Sequence, residues 1–332
     1  MNKPIVSVMI LCYNYGRVLQ KALDSCAAQT FRDFELVMID NGSTDNSKEI
    51  FEKFAQEHPE VKTQYVGVFP NQGPTHGWNE GIRHAKGEYV LFNDADDWMD
   101  ANCLELLVNA AKQNDADRVM SQYREVRADG TLIRERKIPK KPSRILQGML
   151  QGSMYRRSVI LESNLLFPEG EYFIAYDAWF YEIFAVHENK PCEVVRNTAY
   201  NYYKSEISIT QGMQKQIDTE KDFKVQVEPY IRRAADVVQS TADQKLQKDI
   251  EYHVIWNNYA IIARYAKLLR KEQTQTAISR IEKTLLLYFP NYRRNPLLRP
   301  FGNGYEWKTA LGTWGIFIMS RLKLLGLLRM GR

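Results

Sequence analysis

Three acidic residues in four positions, Asp94-Ala95-Asp96-Asp97, follow an apolar run and carry the sharpest chemical signal in the chain. Two carboxylates separated by one residue after a strand can both reach one divalent cation. Hard oxygen ligands suit Mg²⁺ or Mn²⁺, which keep open positions for phosphate oxygens. The same residues would also serve as a polar turn with Asp97 capping the next helix, and the pattern alone does not decide between the two. Two more polar clusters, Cys12-Tyr13-Asn14 and Asp40-Asn41-Gly42-Ser43, likewise follow apolar runs. Other chemistries find less support. His58, His76, His84, His187 and His253 show no ligand spacing, and Cys12, Cys26, Cys103 and Cys192 form no C-x-x-C. That argues against a zinc ribbon or disulfide scaffold and fits a reducing compartment. A Gly-rich phosphate cradle and a nucleophile elbow are both absent, which argues against kinases and Rossmann dehydrogenases.

The elements that must position these clusters alternate. Residues 6–11, 34–39, 65–69 and 88–92 read as strands, and the first, second and fourth are nearly continuous apolar runs, as strands buried on both faces should be. Helices are expected at 17–28, where Val18, Leu19, Ala22, Leu23 and Cys26 keep helical spacing, at about 43–55 with a Ser43-Thr44-Asp45 cap, and at 74–85. This alternation predicts a mostly parallel α/β sheet flanked by helices. Ligands of such sheets bind beyond the carboxyl ends of the strands. All three polar clusters fall there, so they converge on one edge.

Farther on, residues 118–123 and 193–203 read as strands and 178–187 as a helix. From about 213 the pattern is helical, at 214–238, 242–269 and 274–287, with a Pro/Gly-rich loop at 290–304. The expected division is a domain at 1–210, with a donor-binding half at 1–114 and an acceptor-binding half at 115–210. A helical, basic region follows at 211–332.

Residues 5–14, 29–31, 34–45, 71–73, 79–81, 87–89 and 94–97, in that order, resemble the signature series of family 2 glycosyltransferases, whose fold is called GT-A. The resemblance covers about the first hundred residues. It implies inverting transfer of a sugar from a nucleoside diphosphate, UDP first among them, with Mn²⁺ or Mg²⁺ on the diphosphate. By the same resemblance Asp96 would hold the metal and Asp94 would contact the ribose or donor sugar. Tyr13 would flank the base, and Asp40 and Asn41 would read base and ribose edges. Cys12, Asn14, Asn79 and Ala95 would complete the donor site. Two positions depart from the pattern. Asn41 stands where most members have a second acid, and it offers a carbonyl oxygen without charge. Trp78 stands where members often have Arg.

An inverting transfer also needs a base for the acceptor hydroxyl. The stretch 167–180 is similar to the family's segment in which Glu-Asp opens a helix, so Asp177 would be the base, with Tyr176 in place of the usual Glu and Trp179 beside the acceptor. An N-cap Asp needs no catalytic role, so both readings stand. Residues 202–210 look like the loop that closes over the diphosphate, which implicates Lys204 and Ser208. Arg156 falls where members line the acceptor site, with a solvated surface Arg as the alternative.

Composition is that of a folded globular chain. The 332 residues are 44% hydrophobic and 26% charged, with a net charge of +5. The charge is uneven. Residues 261–332 hold fourteen Lys/Arg against three Glu, about +11, which leaves about −6 for the rest. Within 313–328 the stretch packs Trp314, Phe317 and several Leu around Arg321 and Lys323, too short and too charged to span a bilayer. One expectation is a membrane-surface anchor on anionic lipid, and the other is a helix packed on protein. The partners expected are therefore a nucleotide-sugar donor, a growing glycan or lipid-linked acceptor, and the inner membrane face of a cytoplasmic, peripheral enzyme. No aromatic–basic platform for nucleic acid is evident. A non-catalytic, membrane-associated nucleotide-sugar binder and a nucleotidyltransferase are the rival readings. The second would want a Gly-rich basic loop where Tyr13-Asn14-Tyr15-Gly16-Arg17 stands.

Overall fold

In a computed structural model, residues 3–136, 145, 150–169, 176–190, 192–204, 223–268, 271–298, 315 and 318 are described. Contacts divide the chain into two compact units. One comprises Met1–Ile138, Met149–Gly170 and His187–Gly212, and the other Pro139–Gly148, Glu171–Val186 and Met213–Arg332. This differs from the expected single cut near residue 210. The helix that carries Asp177 groups with the C-terminal helices, because its polar partners Tyr230 and His253 lie on them.

The first unit is built on a nine-stranded sheet. Its opening follows the sequence closely: β1 Val6–Cys12, α1 Gly16–Ala27, β2 Phe34–Asp40, α2 Ser47–Glu57, β3 Lys62–Gly67, α3 Pro74–His84 and β4 Tyr89–Asp94. β1 and β2 are buried along almost their whole length. Each large aliphatic side chain so buried contributes about 1.5–3 kcal/mol. On α1 the buried residues Leu19, Ala22, Leu23 and Cys26 form the single stripe that helical spacing implies. The residue at the α2 N-cap is Asn46, which makes no side-chain cap bond, and Asp45 just before it accepts from the Ser47 amide (3.1 Å) and hydroxyl (2.6 Å).

The remaining strands are β5 Trp98–Met99, β6 Arg118–Val126, β7 Leu132–Glu135, β8 Ser153–Arg156 and β9 Glu193–Tyr203, with α4 Cys103–Asn114 and α5 Arg157–Glu162 between them. The strand order is β3-β2-β1-β4-β8-β6-β9-β5, with β7 paired to β6. β1 to β4 are mutually parallel, β8 is antiparallel to β4 and β6, and β9 is parallel to β6. Register then aligns the site: Cys12 lies opposite Asp40, Leu11 opposite Asp94, and Asp40 opposite Gly67. The carboxyl ends of β1 to β4 finish in one row.

The second unit contains α6 Tyr176–His187, a π-helical turn Phe223–Val227, and three helices: α7 Glu228–Gln239, α8 Gln244–Leu268 and α9 Lys271–Tyr288. The expected helix at 214–238 therefore begins, within the described residues, with a π turn. The expected loop at 290–304 includes two 3₁₀ turns, Tyr292–Arg294 and Pro296–Leu298. Among the described residues, no helix is long and apolar enough to cross a membrane. Most of the basic stretch 313–328 lies outside the described residues.

Candidate functional site

The acidic turn leaves the end of β4. Its shape is held from below by Asn93, whose side-chain amide donates to the backbone carbonyl of Asp94 at 2.8 Å. The carboxylates of Asp94, Asp96 and Asp97 bring ligand oxygens within 4.8 Å of one another. The three have different surroundings. Asp97 is fully buried, and both its oxygens are engaged: Tyr200 donates to Oδ2 at 2.6 Å and the Tyr203 amide donates to Oδ1 at 2.8 Å. The Tyr200 hydroxyl in turn accepts from the Asp94 amide at 3.1 Å. Asp96 is half-buried, and among the described residues no other side chain pairs with its carboxylate.

Crowding like charges in a partly dry site is costly. Burial pushes the Asp96 carboxyl up to about 6. Burial first, then the charges of Asp96 and Asp94, hold Asp97 well above the ordinary carboxylate range. The nearby phenol of Tyr15 is raised by burial and then by Asp96, Asp94 and Asp97. Such a site fits a hard divalent cation, because the positive charge would offset the repulsion the turn now carries. Asp97 is committed to Tyr200 and Tyr203, so within this cluster its carboxylate serves the turn itself.

Beside this turn, Asp40 is buried at the end of β2. Its Oδ1 accepts from the Ser43 amide at 2.8 Å and its Oδ2 from the Tyr65 hydroxyl at 2.7 Å. Asn41 is also buried. Its amide donates to Asn71 Oδ1 (3.3 Å), which also accepts from the Gly73 amide (2.8 Å). That second bond fixes which Asn71 atom is the oxygen, and so which Asn41 atom is the nitrogen. Asn41 Oδ1 is left as a buried acceptor with no donor. Gly42 makes the approach of the 71–73 segment possible. It has φ +87°, and a Cβ there would stand 2.8 Å from the Asn71 nitrogen.

Asn14 has φ 58°, a conformation Asn tolerates better than most residues, and its Oδ1 accepts from the Thr44 amide at 2.8 Å. Tyr13 is 44% exposed at this edge. The Cys12 thiol is in the core, where burial pushes it up to about 11, and its carbonyl accepts from the Asn41 amide at 2.8 Å. Ala95 is buried within the turn. Lys204 follows Tyr203 directly, and its ammonium lies 3.4 Å from Glu125. Ser208 lies outside the described residues.

Two residues assigned from the sequence are engaged in other contacts. Asn79 is wholly buried and hydrogen-bonded through both side-chain ends. Its Oδ1 accepts from the Phe167 amide (2.8 Å), and its Nδ2 donates to the Phe167 carbonyl (2.9 Å) and to Glu169 (2.8 Å). It staples residues 167–169 to α3. Arg156 pairs in register with Tyr89, at the opposite end of β4 from Asp94. Its guanidinium is bonded to Asp117 (2.8 Å), Asp115 (2.7 Å) and Glu88 (3.1 Å), so it locks the amino edge of the sheet and lines no acceptor site there.

In the second unit, Asp177 opens α6, and its Oδ1 accepts from the Ala178 amide at 2.8 Å. Burial raises its carboxyl above the ordinary range, with His253 pulling down and Glu182 pushing up. Trp179 is buried on the same helix. Sequence reasoning missed Tyr200, Tyr203, Tyr65 and Asn93. Tyr200 and Tyr203 carry no local signal, because they reach Asp97 only through the placement of β9.

Comparison with known proteins extends the picture. The model of the family described as "Glycosyl transferase family 2" matches residues 7–184. An uncharacterized glycosyltransferase of Haemophilus influenzae is 31% identical over 161 residues, which is 48% of this chain and 63% of that protein. The matched stretch covers less than two thirds of the first curated relatives, at 63%, 32% and 39% of their lengths. The crystal structure of S. aureus TarS 1–349 in complex with UDP-GlcNAc superimposes with a TM-score of 0.76 at 19% identity, over 98% of this chain and 92% of that one. The mannosyltransferase PcManGT of Pyrobaculum calidifontis, in complex with GDP-Man and Mn²⁺, gives a TM-score of 0.58 at 17% identity, over 97% and 88%. At such identities the likeness establishes the fold, which is GT-A as the sequence resemblance implied.

Proposed function

The chain belongs to glycosyl transferase family 2, and from that premise we propose that it is a metal-dependent inverting glycosyltransferase. It moves a sugar from a nucleoside-diphosphate sugar, UDP being the expected nucleotide, to a growing glycan or lipid-linked acceptor in cell-surface polysaccharide synthesis. The observation that carries this reading is the acidic turn at the end of β4, where three carboxylates crowd within 4.8 Å beside Asp40 and the unpartnered Asn41 oxygen.

Each residue has a role in the proposal. Asp96 would hold Mn²⁺ or Mg²⁺, which supplies charge neutralisation to the diphosphate, and Asp94 would contact the ribose or donor sugar. Asn41 Oδ1 would accept from a base N–H, and Asp40 would read the ribose or base edge. Tyr13 would lie against the base. Lys204 and Ser208 would meet the departing phosphates, Lys as a point charge rather than a bidentate fork. Asp177 would take the acceptor hydroxyl proton. The oxygen so activated forms its bond to the anomeric carbon as the bond from that carbon to the phosphate oxygen breaks. The electron pair leaves with the nucleoside diphosphate, and the configuration inverts. Trp179 would act by supporting this helix from within, since its ring is buried.

The nucleotide sugars in the TarS and PcManGT complexes support the donor class by likeness. Docking on anionic lipid is part of the same reading. Leu286 and Leu287, exposed by 39% and 72%, share a face of α9 with Lys283 and offer apolar surface beside a basic group.

The test is a thermal-shift panel of nucleoside diphosphates with and without Mn²⁺. A metal-dependent rise with one nucleotide, about 2.7 kcal/mol at a hundred times Kd, is expected. Well-folded protein that responds to no nucleotide would overturn the donor assignment.

A further inference from the structure

Glu125 is a buried carboxylate held between two cations from neighbouring strands. It lies in register with Arg134 of β7 on one side and with Tyr202 of β9 on the other. The Arg134 guanidinium donates to its Oε1, and the Lys204 ammonium lies 3.4 Å from its Oε2. Burial alone would raise this carboxyl. Arg134 and then Lys204 more than offset that, so it stays below the ordinary carboxylate range and carries its charge at neutral pH. Neither Glu125 nor Arg134 has a part in the chemistry assigned so far.

Lys204 combines a fixed backbone with a movable head. The Tyr203 amide donates to Asp97 at 2.8 Å, and the Lys204 amide donates to the Val126 carbonyl at 2.9 Å. Its root is therefore pinned one residue beyond the acidic turn. The side chain is 49% exposed, and its flexible four-carbon stem lets the ammonium change partners while the strand stays in place. We propose that Glu125 competes with the diphosphate of the donor for the Lys204 ammonium, and that Arg134 sets the strength of that competition. Glu125 and Arg134 are thus positioning residues that act through Lys204. The inference rests on the reading of Lys204 as a phosphate-binding residue.

The physical case is an exchange of partners. An ion pair with an exposed ammonium is weak, which is what an exchangeable contact requires. Without a diphosphate, Lys204 sits on Glu125. When a diphosphate binds, the ammonium crosses to it, and Arg134 stays on the buried carboxylate, which is costly to leave uncompensated. After sugar transfer, Glu125 draws the ammonium back and so eases the departure of the nucleoside diphosphate. Glu125 therefore lowers the affinity of the phosphate site, and Arg134 limits how far it does so by sharing the charge.

The experiment is calorimetric titration of the full chain with UDP and Mn²⁺, or with GDP and Mn²⁺ if the thermal-shift panel selects guanine. Glu125→Gln keeps an acceptor for Arg134 and should tighten diphosphate binding by about three- to tenfold. Arg134→Gln leaves Glu125 to Lys204 and should weaken it by about two- to threefold. A merely structural role would not give the two variants opposite signs. Beside Lys204→Met, both effects should shrink to within about 1.5-fold. Equal signs in the two variants, or a Glu125→Gln gain that persists beside Lys204→Met, overturns the competition. If Glu125→Gln does not fold, Arg134→Gln and its double with Lys204→Met carry the test, because the Arg134 side chain is 61% exposed. Unchanged or tighter binding in Arg134→Gln then overturns the proposal. Lys204→Met alone tests the underlying reading. Undiminished diphosphate affinity there removes Lys204 from the phosphates, whereas weakened affinity with a persisting Glu125→Gln gain overturns the competition only.

Discussion

Tyr200 donates a hydrogen bond of 2.6 Å to Asp97 across 103 residues of chain, and it accepts one of 3.1 Å from the amide of Asp94. One phenol thus ties both ends of the acidic turn to β9. It also explains why Asp97, though adjacent to Asp96, is a strut for the turn. The relationship leads directly to the first prediction.

Tyr200→Phe should keep the stacking on Tyr123 but leave a buried carboxylate short of one donor. A loss of about 1–3 kcal/mol in unfolding free energy is expected. Mn²⁺-dependent nucleotide binding should weaken alongside. Chemical denaturation and a nucleotide titration measure the two, and a variant as stable as wild type would show that the bond contributes little.

Asp96→Asn should behave in the opposite way. It removes a half-buried charge from a crowded site, so metal-free stability at neutral pH should hold or rise. The Mn²⁺-dependent nucleotide shift should disappear. A retained shift would assign the cation to other ligands.

Arg156→Ala tests the structural role that its ion pairs give it. Three acidic partners lose their counter-charge, so destabilisation of about 2–4 kcal/mol is expected. Nucleotide affinity should stay within about twofold, because the residue lies at the far end of β4. A selective loss of binding in a stable variant would return Arg156 to the site.

Asp249, buried on α8, gives the pH dependence of the second unit. Burial raises its carboxyl to about 6, with Lys245 pulling down and Asp243 pushing up. The folded state therefore binds this proton more tightly than the unfolded chain does. The resulting stability is fully present below about pH 4 and is lost as pH rises through about 6. Asp249→Asn should flatten that slope and stabilise the protein above pH 7 by about 1–3 kcal/mol. Denaturation midpoints across pH 4–8 in metal-free buffer provide the measurement, and a parallel slope in the variant would reject the assignment.

Much of this was legible in the sequence because parallel strands buried on both faces must be apolar throughout. Polar residues such as Asp40, Asn41 and Asp94 therefore appear at the strand ends, and parallel pairing puts those ends on one edge. The runs in β1, β2 and β4 located the edge, and the Asp94-Ala95-Asp96 spacing pointed to its chemistry. Local sequence carries no record of which strand pairs with which, or in what register. Only the tertiary structure decided that β8 runs antiparallel beside β4, which takes Arg156 to the amino edge. It also decided that β9 arrives with Tyr200 and Tyr203 against Asp97, that Asn79 faces inward to Phe167, and that α6 joins the C-terminal helices through Glu182 and His253. In each case the deciding term is a hydrogen bond or ion pair between groups tens of residues apart. Such a bond exists only once burial has removed water as the competing partner.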